Sequence, residues 1–270
     1  MLLHKKKIAA IIQARMNSSR LPGKVLRKIE NKPILYYVVN QTRSSKLIDD
    51  IIIATTINSQ DNKIVNFCKE HHIKYFCGSE KDVLDRYYKC AKKFNCDYIV
   101  RITSDCPLID PFIIDKIITK FLKNSYDYVS NNIEKGRDGI WKNSECNFPQ
   151  GMTVEVCTFS AIEKAWKKAK KPSEREHVFP YIQFNPKLFK AYNIKNRINL
   201  SHIRCTVDRN DDLRFVREIC KRIKKKKVVH IKDILKVLEK EPNLININNH
   251  IPFDEGYRIS LLKDKKHGYK

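Results

Sequence analysis

With 270 residues, 42% of them hydrophobic and 31% charged, the chain can bury a core without a metal or disulfide staple. Nine scattered cysteines with no Cys-x-x-Cys pair argue against a zinc ribbon, a redox dithiol or a disulfide framework, and for a reduced, cytoplasmic protein. The net charge of +24 suits an acidic ligand, but the basic residues are dispersed without interleaved aromatics and no apolar run approaches the roughly 20 residues that span a bilayer, so neither nucleic acid nor membrane insertion is expected.

Apolar runs alternate with segments of helical period, the pattern of a parallel sheet with crossover helices. After a basic start, residues 8–12 read as a strand, 34–42 as a helix, 51–55 as a strand and 61–71 as a helix. The alternation continues with a strand at 74–77, a helix at 82–94, a strand at 98–102 and a helix at 111–122, whose Pro111 suits a first turn because its missing N–H is not needed there. A strand at 126–130 leads into a polar excursion at 131–147, followed by a strand at 152–157 and a helix at 161–170. Ser173 and Glu176 have the spacing of a capping box opening a further helix. Strands near 188–194 and 204–207 precede helices at 211–223 and 231–239. The expected fold is α/β, a mostly parallel, doubly wound sheet with helices on both faces. Residues 1–240 read as one domain with a small excursion near 131–150, and 241–270 as a C-terminal tail. The tail mixes apolar and aromatic residues with charge, so it is expected to pack on the body or on a second subunit, as in a homodimer.

Three segments carry chemistry. Directly after the first strand runs Gln13-Ala14-Arg15-Met16-Asn17-Ser18-Ser19-Arg20-Leu21-Pro22-Gly23-Lys24. Ligands of open α/β sheets lie beyond the carboxyl ends of the strands. The loop offers three cations, Arg15, Arg20 and Lys24, the hydroxyls of Ser18 and Ser19, and backbone N–H groups near a glycine, a set able to cradle a triphosphate. Lys24 is expected to face solvent until a nucleotide arrives. The second segment, Arg101-Ile102-Thr103-Ser104-Asp105-Cys106-Pro107, places Asp105 just past a strand, where a carboxylate can hold a hard cation or serve equally as a turn residue. The third, Cys205-Thr206-Val207-Asp208, is another strand ending in aspartate, with Asp211 and Asp212 beyond it suited to capping the next helix.

Together these segments resemble the cytidylyltransferases that include the CMP-sialic acid and CMP-KDO synthetases, and above all the branch named for spore coat polysaccharide biosynthesis protein F, over about residues 8–219. The resemblance implies a Rossmann-like nucleotidyltransferase fold and Mg²⁺-dependent transfer of CMP from CTP to an acidic sugar or phosphorylated small molecule. Pyrophosphate is released, and the expected setting is surface polysaccharide or glycoconjugate biosynthesis. It implies a nucleotide site of Gln13, Ala14, Arg15, Ser18, Ser19, Arg20, Lys24, Gly78, Ser79 and Thr103, with backbone at Gln13 and Ala14 meeting the cytosine. Arg15 and Lys24 hold the phosphates, and Asp105 and Asp208 converge on the metal, completing a catalytic set of Arg15, Lys24, Asp105 and Asp208. Ser104 stands where relatives typically carry glycine. Residues 148–156 and 173–181 match the acceptor side, which makes Gln150, Gly151, Glu155, Arg175 and His177 candidate acceptor contacts, although Glu155 also suits a pair with a neighbouring base. Asp82, Asp85 and Arg86 read as a solvated helix face. A nucleotide-sugar-dependent glycosyltransferase is the rival enzyme, but Asp105-Cys106-Pro107 lacks the Asp-x-Asp expected of it. A non-catalytic protein that binds RNA or a membrane surface is the rival of another class.

Overall fold

The computed structural model describes residues 5–132, 147–223, 226–253 and 255–269, so most of the polar excursion lies outside the described residues. The first strand, β1 (Ile8–Gln13), is apolar on both sides. Ala10 and Ile12 pack with Ile53, Val100 and Ile102 on one face, and Ala9 and Ile11 with Ile52, Ala54 and Ile99 on the other. A strand buried on both faces belongs in the middle of a parallel sheet covered by helices.

In chain order there follow the small hairpin β2 (Lys28–Ile29) and β3 (Lys32–Pro33), α1 (Ile34–Arg43), β4 (Asp50–Thr56), α2 (Asn62–Glu70), β5 (Lys74–Gly78), α3 (Val83–Lys93), β6 (Tyr98–Thr103), α4 (Pro111–Lys123) and β7 (Tyr128–Ser130). Next come β8 (Glu155–Thr158), α5 (Phe159–Lys168), α6 (Pro172–His177), α7 (Pro180–Gln183), β9 (Ala191–Asn193), α8 (Asn210–Arg222), α9 (Ile231–Lys240) and α10 (Glu255–Lys266). Seven strands form one sheet in the order β5-β4-β1-β6-β8-β7-β9. All neighbours run parallel except at β8, which is antiparallel to both β6 and β7. One core lies under α1, α2, α4, α8 and α9 and the other under α3, α5 and α7. The expected mostly parallel α/β sheet with helices on both faces is the fold observed. Among the described residues no helix is long and apolar enough to cross a membrane.

Several local readings need correction. Residues 204–207 form no strand: Arg204 makes one isolated parallel bridge to Gln150, and the rest is extended chain. The 152–157 strand pairs only from Glu155, and the 188–194 strand only from Ala191. Ser173 and Glu176 make no capping box. Glu174 instead accepts the N–H groups of Lys170 (3.0 Å) and Lys171 (3.1 Å), because Pro172 starts the helix earlier than expected. Beyond residue 240 the chain packs against the body. Asn248, 2% exposed, donates to the Arg204 carbonyl and to Asp212, both at 3.0 Å, and α10 lies along α6.

Candidate active site

The parallel register puts Gln13 beside Thr103, so the ends of β1 and β6 open on one edge of the sheet. There a cleft of about 370 Å³ is bounded by the loop after β1, by Thr103 to Asp105, by Thr206 and Asp208, by α6 and by the start of α10.

The loop is pinned before it reaches the cleft. Ala14 N–H donates to the Ala54 carbonyl (3.1 Å), and Met16 N–H to the buried carboxylate of Asp61 (2.7 Å). Gly23, in the left-handed region at φ 67°, turns the chain back so that its N–H donates to the Met16 carbonyl (2.8 Å). Arg15 and Ser19 are left exposed, while Lys24 is buried. Its Nζ lies 2.6 Å from Asp105 Oδ2 and 2.8 Å from Asp208 Oδ1. The expectation of a solvent-facing Lys24 is therefore overturned: two carboxylates from remote segments draw the ammonium inward. Burial opposes its charge, but Asp105 and Asp208 outweigh that and hold its pKa above the ordinary lysine value. Burial likewise disfavours the Asp105 anion, and Lys24 nonetheless pulls that carboxyl well below the usual range.

Val207 N–H donates to the Asp105 carbonyl (2.8 Å), which makes the two aspartate-bearing segments direct neighbours. Asp208 also receives Arg20 Nη2 (2.7 Å) and Arg204 Nη2 (3.1 Å). Asp212, fully buried, accepts Arg204 and the N–H groups of Asp208 (2.9 Å) and Arg209 (3.0 Å), and so fixes the entry to α8. Two hard-oxygen ligands already gathered about one positive charge fit the usual protein share of a Mg²⁺–nucleotide site. Among the described residues no group of three His, Cys, Asp or Glu side chains is placed to hold a metal by itself.

The other candidates divide. Gln13, Ala14, Ser18, Ser19, Arg20 and Thr103 line the cleft with Arg15 and Lys24. Gly78 and Ser79 do not. They sit at the end of β5 against Arg86, whose Nη1 donates to the Ser79 carbonyl. Arg86 does line the cleft, 2% exposed, and its Nε finds no partner among the described residues. Burial lowers its pKa from the ordinary arginine value. The solvated-face reading of Asp82, Asp85 and Arg86 therefore fails: Asp82 caps the helix and pairs with Arg175, and Asp85 accepts Trp166 Nε1 (2.9 Å). That same pairing removes Arg175 from the acceptor side, since its guanidinium is held by Asp82 and the Trp166 carbonyl, outside the cleft.

Gln150 and Gly151 line the cleft, but both have structural employment. Gln150 accepts Arg204 Nη1 (2.7 Å). Gly151, at φ 88°, lets two chain segments cross where a Cβ would stand 2.5 Å from the Thr206 nitrogen. Glu155 gives one oxygen to Arg101 and the other to Tyr128 Oη (2.7 Å). His177 shares its Nε2 with Ser260 Oγ (3.0 Å) and lies edge-on to Tyr257. Burial brings its pKa down to about 4.

Sequence reasoning missed the contribution of α10. Its Glu255 bridges Arg20 (3.1 Å) and Arg209 (2.6 Å), and its Asp264 accepts the N–H of Ser173 (2.8 Å). The only signal available was the apolar and aromatic content of the tail.

Comparison with known proteins agrees with this geometry. The chain is 42% identical over 247 residues to an uncharacterized protein of Methanocaldococcus jannaschii, covering 91% of this chain and 96% of that one. It is 28% identical to the spore coat polysaccharide biosynthesis protein SpsF of Bacillus subtilis, over 87% of this chain and 95% of the relative. A solved cytidylyltransferase from Leptospira borgpetersenii superposes with a TM-score of 0.80 at 32% identity, covering 89% of this chain and 97% of that one. The cytidylyltransferase family model matches residues 9–251, and with that span the chain belongs to the cytidylyltransferase family.

Proposed function

We propose that the protein transfers the CMP group of CTP to an acidic small molecule, a sugar acid or a phosphorylated metabolite, with release of pyrophosphate. The observation that carries this reading is the meeting of the Arg15–Arg20–Lys24 loop with Asp105 and Asp208 in one cleft, through a shared ammonium. The cations of the loop are suited to the triphosphate, and the buried Arg86, whose Nε has no partner among the described residues, calls for an acceptor from a ligand.

In the reaction an acceptor oxygen bonds to the α-phosphorus of CTP as the bond from that phosphorus to the bridging oxygen of the β-phosphate breaks. Such a displacement needs positioning and charge neutralisation more than a protein nucleophile. Asp105 and Asp208 are the residues that hold Mg²⁺, which when bound supplies charge neutralisation at the phosphate oxygens. Arg15, Arg20 and Lys24 stabilise the negative charge that gathers on departing pyrophosphate. An acceptor phosphate is ionised at neutral pH and so requires no strong general base, and His177 stays neutral there. The cleft wall formed by α6 and α10 is the side left for the acceptor. The name of the B. subtilis relative supports a product destined for a surface polysaccharide.

Calorimetric titration with CTP, ATP, GTP and UTP in Mg²⁺ tests the nucleotide, and pyrophosphate release over a panel of sugar acids and sugar phosphates tests the acceptor. CTP is expected to bind most tightly, with its Mg²⁺-dependent part absent in Asp105→Asn and Asp208→Asn. Equal binding of all four nucleotides refutes the cytidine assignment. Unaltered Mg²⁺ dependence in both variants refutes the metal assignment.

A further inference from the structure

A buried polar chain runs from the acceptor side of the cleft to the end of β1. Gln183 Nε2 donates to Tyr128 Oη (2.8 Å), Tyr128 Oη donates to Glu155 Oε1 (2.7 Å), Glu155 Oε2 accepts Arg101 Nη1, and Arg101 Nε donates to Gln13 Oε1 (3.1 Å). Gln13 alone among these stands directly before the phosphate-binding loop, and it lines the cleft together with Arg101, Glu155 and Gln183.

The last link decides an orientation. A primary amide can turn either end toward a neighbour, and the two ends are alike in size. A guanidinium, however, has only donors. Whichever atom of Gln13 faces Arg101 must therefore be the oxygen, and the NH₂ is the end left for the cleft. Among the described residues nothing accepts from that NH₂. Arg101 is itself held from the other side by Glu155, whose second oxygen is tied to Tyr128, so donor and acceptor are fixed at every link from Tyr128 to Gln13.

We propose that Glu155 and Arg101 are positioning residues that lock Gln13 with its amide donor toward the bound nucleotide, and that Gln13 uses this donor to read an acceptor atom of the base. The inference rests on the nucleotide-binding reading above. The phosphates are matched by the cations of the loop, which leaves a neutral donor beside β1 for the base. Cytosine carries an acceptor at N3, where uracil carries N–H. A fixed donor can donate to the first but meets the second donor to donor, which is how a polar site rejects a near-isosteric ligand. On this account Glu155 acts on the nucleotide through Arg101, in place of the acceptor contact expected from the sequence.

The test is calorimetric titration of CTP and UTP, in Mg²⁺, into the unaltered protein, Gln13→Met and Glu155→Gln, with melting temperatures measured on all three. Gln13→Met keeps the length of the side chain and removes the donor. The unaltered protein is expected to prefer CTP. Gln13→Met is expected to weaken CTP about tenfold, the scale of one hydrogen bond together with an acceptor left unpaired, and to bring the CTP-to-UTP ratio toward one. Glu155→Gln is expected to lower the ratio in the same direction by a smaller factor. A lower melting temperature with an unchanged ratio in Glu155→Gln means a purely structural pair and overturns the positioning role. An unchanged ratio in Gln13→Met, or no preference for CTP in the unaltered protein, overturns the role of Gln13. Binding of neither nucleotide by the unaltered protein overturns the nucleotide reading beneath both.

Discussion

Replacement of Lys24 by methionine tests the electrostatic centre of the cleft, because it keeps most of the side-chain length and removes the charge. The side chains of Lys24, Asp105 and Asp208 are 11%, 22% and 13% exposed, so their mutual attraction is only partly screened by water. Asp208 retains Arg20 and Arg204, whereas Asp105 has no other ion pair among the described residues. Removing one partner of a buried pair costs about 3 to 5 kcal/mol. The residual exposure favours the lower end, about 3 kcal/mol. For a chain of this size that corresponds to a melting temperature lower by roughly 5 °C. Urea denaturation of both proteins, with and without millimolar Mg²⁺, measures it. Two carboxylates deprived of their ammonium are also expected to bind Mg²⁺ more avidly, so the ion should raise the variant's stability more than that of the unaltered protein. A variant within about 0.5 kcal/mol of the parent, with no added response to Mg²⁺, refutes the view of Lys24 as a buried counter-ion.

Three further outcomes are expected. His177 has a depressed pKa of about 4 in the fold against an ordinary value near 6.5, so its contribution is fully present above pH 6.5 and is lost as pH falls toward 4. Across that window His177→Gln should lose less stability than the parent, by about 1.4 kcal/mol per pH unit, and parallel urea-derived curves from pH 7 to 5 exclude it. Gly151→Ala should destabilise by about 3 kcal/mol, since the added Cβ meets backbone atoms of Cys205 and Thr206 that cannot turn aside; an unchanged urea midpoint contradicts the crossing geometry. Glu255→Gln removes an anion from Arg20 and Arg209 and should tighten inorganic tripolyphosphate on the order of threefold by calorimetry; weaker or equal binding shows that the carboxylate does not compete.

The sheet was legible because its central strands, 8–12, 51–55 and 98–102, are apolar runs, broken only by Arg101 and Thr55, that alternate with segments of helical period. The convergence of Asp105 and Asp208 was legible for a reason only half correct. The first does follow a strand, but the second follows an extended segment held by Val207 on the Asp105 carbonyl. What stayed hidden were properties of pairs. A basic loop gives no sign that two carboxylates from remote segments will bury Lys24. Arg86, between acidic neighbours on α3, looks like one of a set of surface ions until the packing of α5 and α6 claims Asp85 and Asp82 and leaves the guanidinium inside. Arg175 was misread for the complementary reason: a cation at a helix start, poorly placed for the helix dipole, looked free for a ligand while its partner lay over ninety residues away.

The attachment of α10 has an evolutionary consequence. Apart from Tyr257, it is fastened chiefly by polar clasps: Asp264 on Ser173, Ser260 on Glu176 and Glu255 on two arginines. Ile259 and Leu262 meanwhile face outward. The helix also lies beyond the 9–251 span matched by the family. An element joined by a few hydrogen bonds can drift, shorten or be exchanged without disturbing the apolar layers that fold the sheet. A chimera that grafts the corresponding helix of a relative onto this body is a direct test of whether one bank of the cleft can be exchanged without disturbing the sheet.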